Sequence, residues 1–176
     1  MGKGRRCEAP NRPLKQTRTS SWFSRNGIMV IYFSVVLKDL FRLGRSYPWL
    51  KPSSCPRCTG CRLWGHGFVS VYFDDFDQPF LLKRYRCPDC RCVIRMRPEG
   101  YFKGFQASVS VIRSSIVSKV RTNKWLLGIS RSRQRHWFRA LCQRIKAYLT
   151  DTWHQGVIAG FDYLLQRGQT PVSRTI

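Results

Sequence analysis

The chain has 176 residues, 43% hydrophobic and 14% aromatic, which is enough apolar surface for a core and argues against wholesale disorder. Its 32 Lys and Arg against 9 Asp and Glu give a net charge of +23, and such a surface gathers polyanions, of which nucleic acid is the commonest large one in a cell. No segment reaches the roughly 18 consecutive apolar residues of a membrane span. The one apolar run, Gly27 to Leu37, starts too late in the chain and is followed by the wrong residues for a signal peptide. A cytoplasmic, nucleoid-associated protein is therefore expected, with no membrane partner and no small-molecule substrate.

In chain order, residues 1–28 are basic, rich in Ser and Thr and without apolar periodicity, which predicts a disordered arm; Met29 is a candidate native start. In residues 29–45, Tyr32, Val35, Val36, Leu40 and Leu43 recur at mixed spacings of three and four. That favours one amphipathic helix, although "IMVIYF" taken alone suits a buried strand equally well. The Gly, Pro and Ser residues of "GRSYPWLKPSS" then read as a linker. Within residues 46–99, "FVSVYF" and "FLLKRYR" have strand composition and flank "DDFDQP", a turn, so a hairpin is predicted. Residues 100–150 show helical periodicity, first from Phe105 to Val120 and again from Arg131, with a break at Gly128. Residues 151–176 hold one more short helix, with Asp151 near its start and Gly168 near its end.

Cys55-Pro-Arg-Cys58 and Cys87-Pro-Asp-Cys90 place a pair of thiols at each open end of the hairpin. Two thiolates at i and i+3 in a tight turn point at a common centre, and two such turns make a sulfur tetrahedron at the ~2.3 Å Zn–S distance. That spacing predicts a zinc ribbon holding one structural Zn2+. A redox dithiol needs a single pair ahead of a helix in a βαβ setting, and a disulfide framework suits a secreted chain. A hairpin this small buries too little to stand alone, and metal coordination, worth on the order of 10 kcal/mol, makes up the difference. Cys61 and Cys92 follow the two pairs closely enough that either is a potential substitute ligand, whereas His66 between glycines reads as a turn residue. Cys7 falls in the arm, and Cys142 falls near the apolar face of a helix, where an inert buried thiol is expected.

Between Gly100 and Thr150 there is no Asp or Glu. Arg131, Arg135 and Arg139 recur every four residues and share one helical face, while Trp137, Phe138, Leu141 and Ile145 cluster on the opposite side. "WLLGISRSRQRHWFRAL" fits a helix-turn-helix in which a first helix ends at Leu127, Gly128 makes the turn, and Ser130 or Ser132 caps a recognition helix. Ser130, Arg131, Ser132, Arg133, Gln134 and Arg135 would then face base edges, where Arg matches guanine and Gln matches adenine. Arg121, Lys124 and Arg139 add to the expected nucleic-acid contact. A solvated basic helix, or one that binds RNA, has the same composition. The fold class expected is α+β, a small zinc-ribbon hairpin module followed by an all-α, helix-turn-helix-like module.

Two stretches, "CPRC…LWGHG…FDQP…KRYRCPDC…RP" (Cys55 to Pro98) and "GISRSRQRHWFRAL" (Gly128 to Leu141), resemble bacterial insertion-sequence transposases that begin with a zinc ribbon and a helix-turn-helix. The likeness covers about half the chain. It implies that Cys55, Cys58, Cys87 and Cys90 ligate the metal, that the helix from Ser130 reads the element's ends, and that double-stranded DNA is the partner. The family's strand transfer needs three carboxylates spread over a large catalytic domain. Here Asp74, Asp75 and Asp77 crowd one turn, Glu99 follows the ribbon, and only Asp151 and Asp162 lie further on. No paired catalytic carboxylates, no nucleophile with its base and no phosphate-cradling Gly loop is present either. The expectation is a DNA-binding subunit or remnant rather than an enzyme, with a separate catalytic transposase subunit as a possible second partner. The rival reading is a zinc-organised RNA-binding or protein-interaction module using Trp64, Phe68, Tyr72, Phe73 and Tyr85.

Overall fold

The computed structural model describes residues 28–150 and 153–173. The chain is mixed α+β, with a four-stranded sheet and four α-helices among the described residues, and divides into two compact units between Glu99 and Gly100. The predicted arm, Cys7 and Asp151 lie outside the described residues, apart from Ile28, which opens the first strand. No helix among the described residues is long and apolar enough to cross a membrane.

The first unit contains β1 (Ile28–Phe33), α1 (Leu37–Leu43), β2 (Trp64–Val71), β3 (Phe80–Arg86) and β4 (Val93–Pro98). The sheet order is β1-β4-β3-β2, antiparallel except for the parallel β1/β4 pair. The single helix favoured for residues 29–45 is replaced by a strand and a seven-residue helix. The reason is tertiary. β4 offers an open edge, and the β-branched and aromatic side chains of "IMVIYF" fill the sheet beside it, which outweighs a helical spacing that never had a partner face. β4 itself went unread in the sequence, where the hairpin was expected to consist of two strands.

Register fixes which side chains share a face. Tyr85 stands opposite Ile94, and Ile94 beside Met29, so these point one way with Met96 into a core shared with Cys55, Leu63, Cys87 and Cys92. Trp49, from the linker, packs on the same core and meets Phe33 at 5.3 Å between ring centroids. At the far end of the sheet Phe80, fully buried, gathers Phe41, Phe73 and Phe76 at centroid distances of 5.3, 5.0 and 4.6 Å.

The second unit contains α2 (Val109–Thr122), α3 (Arg131–Leu149) and α4 (Gly156–Gln166) around a core of Ile112, Ile116, Trp137, Leu141, Phe161 and Leu164. The N-terminus of α2 is capped by Ser108, whose Oγ accepts from the Val111 N–H at 3.2 Å, and Asn123 ends the helix in the left-handed region. α2 therefore stops at Thr122 rather than at the expected Leu127, and residues 123–130 form the connection to α3, with Gly128 at φ +77°. α2 and α4 are joined by a two-pronged ion pair, in which Arg113 Nε and Nη2 donate to the Asp162 carboxylate at 2.7 and 2.6 Å. α4 crosses α3 at Gly160, where a Cβ would stand only 2.8 Å from Ile145 Cγ1. Replacing Gly160 with Ala is expected to cost about 1–3 kcal/mol by overpacking this crossing, read as a lower denaturant midpoint with an unchanged metal content.

Candidate functional site

The four predicted ligand cysteines come together. The Sγ atoms of Cys55, Cys58, Cys87 and Cys90 all lie within 4.8 Å of one another, with Cys55 to Cys90 at 3.6 Å and Cys58 to Cys87 at 3.5 Å. The backbone makes two equivalent turns to achieve this. Cys55 N–H donates to Gly60 O at 2.8 Å and Cys87 N–H donates to Cys92 O at 3.0 Å, five residues on in both cases. Each turn also passes through a left-handed residue at the same place, Thr59 and Arg91, both at φ 58°. Proline after the first cysteine of each pair fixes its φ and supplies no competing N–H, and the Arg57 N–H donates to Cys55 Sγ at 3.4 Å. Arg62 Nη2 reaches across from the first turn to Asp89 Oδ1 of the second at 2.9 Å.

The turn equivalence explains Cys92. It is the second turn's counterpart of Gly60, and the two positions face different surroundings. A Cβ on Gly60 would meet the end of the exposed Asp89 side chain, which would have to swing aside and strain its bond with Arg62. Cys92 is instead buried, with its Sγ 3.4 Å from Cys55 Sγ, touching one corner of the four-thiol cluster from the core side. Burial pushes the thiols of both Cys55 and Cys92 up to about 11, so the metal-free pair holds its protons at neutral pH. A metal would displace a proton from Cys55, and its apparent affinity would fall as pH is lowered.

Four sulfurs around a 2.3 Å metal–sulfur bond stand about 3.8 Å apart in a regular tetrahedron, so the cluster has the size and donor set to hold a metal ion. Cys55, Cys58, Cys87 and Cys90 would be its ligands. His66 is on β2, outside the cluster.

The basic residues expected to meet nucleic acid divide into two groups. Arg131, Arg135 and Arg139 are exposed along α3, and Arg121, Lys124, Ser130 and Ser132 are exposed near its start. Ser130 occupies the N-cap position, but its Oγ pairs with Ser132 Oγ at 2.7 Å instead of capping the backbone. Arg133 is half-buried and lies over the Trp137 ring at 5.0 Å. Gln134 departs from expectation: it is fully buried and cannot reach a base. Its Oε1 accepts from Ser115 Oγ at 2.7 Å and from the Leu126 N–H at 3.0 Å, and its Nε2 donates to Leu126 O at 3.0 Å and Ile129 O at 2.9 Å. An amide with two acceptor and two donor sites is saturated by those four bonds. Gln134 thus staples the connection onto α2 and α3, and its four-residue offset from Ser130 placed it on the inner side of the first turn.

Sequence reading missed the arginines of the sheet. Arg84, Arg86, Arg95 and Arg97 all lie on the face opposite the cysteine core, because Tyr85, Ile94 and Met96 point into it. The signal was the alternation in "RYR" and "RMR", which sets every second residue on the same face. Of the aromatics, Phe73 and Tyr85 are core residues, Phe68 lies under Lys83 Nζ at 4.5 Å, and Trp64 and Tyr72 are exposed.

Set against known proteins, the chain matches no family model, no curated protein and no solved structure.

Cys87→Ser is expected to weaken metal binding by more than the roughly 10–100-fold seen when outer-shell groups are removed, while Cys92→Ser keeps the full metal complement; metal analysis after dialysis against a weak chelator distinguishes them. Gln134→Ala leaves backbone groups of the connection without partners and is expected to cost about 1–3 kcal/mol, measured by chemical denaturation.

Proposed function

We propose that the chain is a zinc-dependent DNA-binding protein, a recognition module of the insertion-sequence transposase type without strand-transfer activity. In this reading the four-thiol cluster holds one structural Zn2+ and makes the first unit a zinc ribbon. The second unit acts as a helix-turn-helix variant that presents α3 to duplex DNA, with a separate catalytic transposase subunit as a further partner. Four-sulfur coordination at this size favours zinc or an iron centre, and a closed site without a hydrolysable position suits a structural role.

The observation that carries the reading is the unneutralised face of α3. Among the described residues of the second unit Asp162 is the one carboxylate, and Arg113 occupies it with both prongs. Arg131, Arg135 and Arg139 are left exposed at four-residue intervals without an acidic partner among the described residues. Three like charges on one helical face repel one another and lower helix stability slightly, an arrangement that suits a polyanion lying along the helix. The connection of residues 123–130 is longer than the 3–4-residue turn of the standard motif, so the second unit is a variant of it, held by Gln134 where short turns rely on glycine.

A second reading is favoured by exposed aromatics. Trp64 is 60% and Tyr72 53% exposed on the first unit, and both would stack on unpaired bases of RNA. Competition between duplex DNA and single-stranded RNA at fixed salt decides between the two.

The zinc-loaded protein is expected to bind duplex DNA with an affinity that falls steeply with salt, the slope of log K against log salt being about 0.9 per phosphate contact. Replacing Arg131, Arg135 and Arg139 with Gln is expected to reduce that slope by about one per residue. Binding that is insensitive to salt, or a slope unchanged in the triple variant, would overturn the proposal.

A further inference from the structure

The first unit carries an arrangement that neither the cysteine cluster nor α3 accounts for. Arg84 on β3 and Arg95 on β4 are direct cross-strand partners, so their side chains leave the same face of the sheet side by side. Like charges placed directly opposite on an antiparallel pair destabilise it. Both Nε atoms are buried with no hydrogen-bond partner, and a buried donor left unmade costs stability. Arg42, Arg62 and Arg113 are engaged in ion pairs with carboxylates, and neither Arg84 nor Arg95 has such a partner among the described residues. Burial, reinforced by the neighbouring Arg84 charge, pulls the Arg95 guanidinium below its ordinary value, the mark of a cation held without a counter-charge.

The surroundings favour an anion. The β2/β3 register shifts between Gly65 and Phe68, and Gly67, at φ +68°, lies beside the Arg84 guanidinium: a Cβ there would be 3.8 Å from Nη2. The strand therefore passes the guanidinium with no side chain at that position. In the next row of the same face, Arg86 pairs with Val93 on one side and with Trp64 on the other, and Arg86 and Trp64 are both exposed. Two parallel guanidinium forks match the oxygens of one phosphate, and a flat exposed ring beside them suits a nucleotide.

We infer that Arg84 and Arg95 form a half-buried phosphate-binding site on the arginine-bearing face of the sheet, with the exposed Arg86 at its rim, and that its occupant is a backbone phosphate of the bound nucleic acid. The inference rests on the DNA-binding reading above and gives the first unit a direct contact of its own. The positions are otherwise hard to explain, since an apolar residue at either would remove the repulsion and one of the two unmade donors.

The test uses the zinc-loaded chain in four forms: wild type, Arg84→Gln/Arg95→Gln, Arg84→Lys/Arg95→Lys, and the Arg131, Arg135 and Arg139 to Gln variant of α3. The sheet variant is expected to keep its metal, to melt at or above the wild-type temperature without DNA, and to lose about two from the salt slope of duplex binding. Arg84→Lys/Arg95→Lys is expected to retain the slope while binding more weakly, since the charge stays and the fork is lost. A wild-type slope in the Gln variant, beside a reduced slope in the α3 variant, overturns the sheet site and leaves the DNA-binding reading standing. No duplex binding by the wild type overturns both. Should the double Gln variant lose its metal, Arg84→Gln alone supplies the same readout, with a slope change of about one expected and none overturning the site.

Discussion

The sulfur atoms of Cys55, Cys58, Cys87 and Cys90 tie together two turns that sit at opposite ends of the β2/β3 hairpin in sequence and at one place in space. Almost everything else in the first unit is arranged around that convergence. Leu63, Tyr85, Ile94 and Met29 pack against the buried cysteines, so the cysteine cluster and the apolar core form one continuous body. The turns that make the cluster are not conformationally free. Each passes through a non-glycine left-handed residue, Thr59 and Arg91, at a cost of about 1–2 kcal/mol apiece. Coordination of a metal ion by the four thiols, an order of magnitude larger in small domains, would offset such strain.

The second unit solves a different problem with a single side chain. Its three helices leave an eight-residue connection to be held down, residues 123–130, whose backbone groups would otherwise depend on solvent. One buried glutamine answers that need by using all its hydrogen-bonding capacity on the connection and on Ser115. Rigidity gained in this way fixes where α3 begins, and with it the direction of the arginines at 131, 135 and 139.

The cysteine cluster was legible in the sequence because its chemistry is local: two thiols three residues apart make half a site, and a hairpin between two such halves completes it. The apolar face of α3 was legible for the same reason, since helical periodicity puts Trp137, Leu141 and Ile145 together whatever surrounds them. What escaped depends on partners distant in the chain. The strand at residues 28–33 has a helical spacing by accident and becomes a strand because β4 lies beside it. Gln134 has the composition of a base reader, and only the path of the preceding connection turns it inward. The arginines of the sheet are unremarkable one by one in a chain with net charge +23, and acquire meaning when pairing puts Arg84 beside Arg95.

The parallel pairing of β1 with β4 also sets an order of events during synthesis. Residues 28–33 leave the ribosome early, apolar and with both edges unpaired, and their partner at residues 93–98 follows only after both cysteine pairs. Until then β1 is an exposed strand with no sheet to join, the state in which nascent chains associate with the wrong neighbour. A metal captured by the two turns would bring the β3/β4 edge into existence as soon as it is translated, shortening the interval in which β1 stands alone.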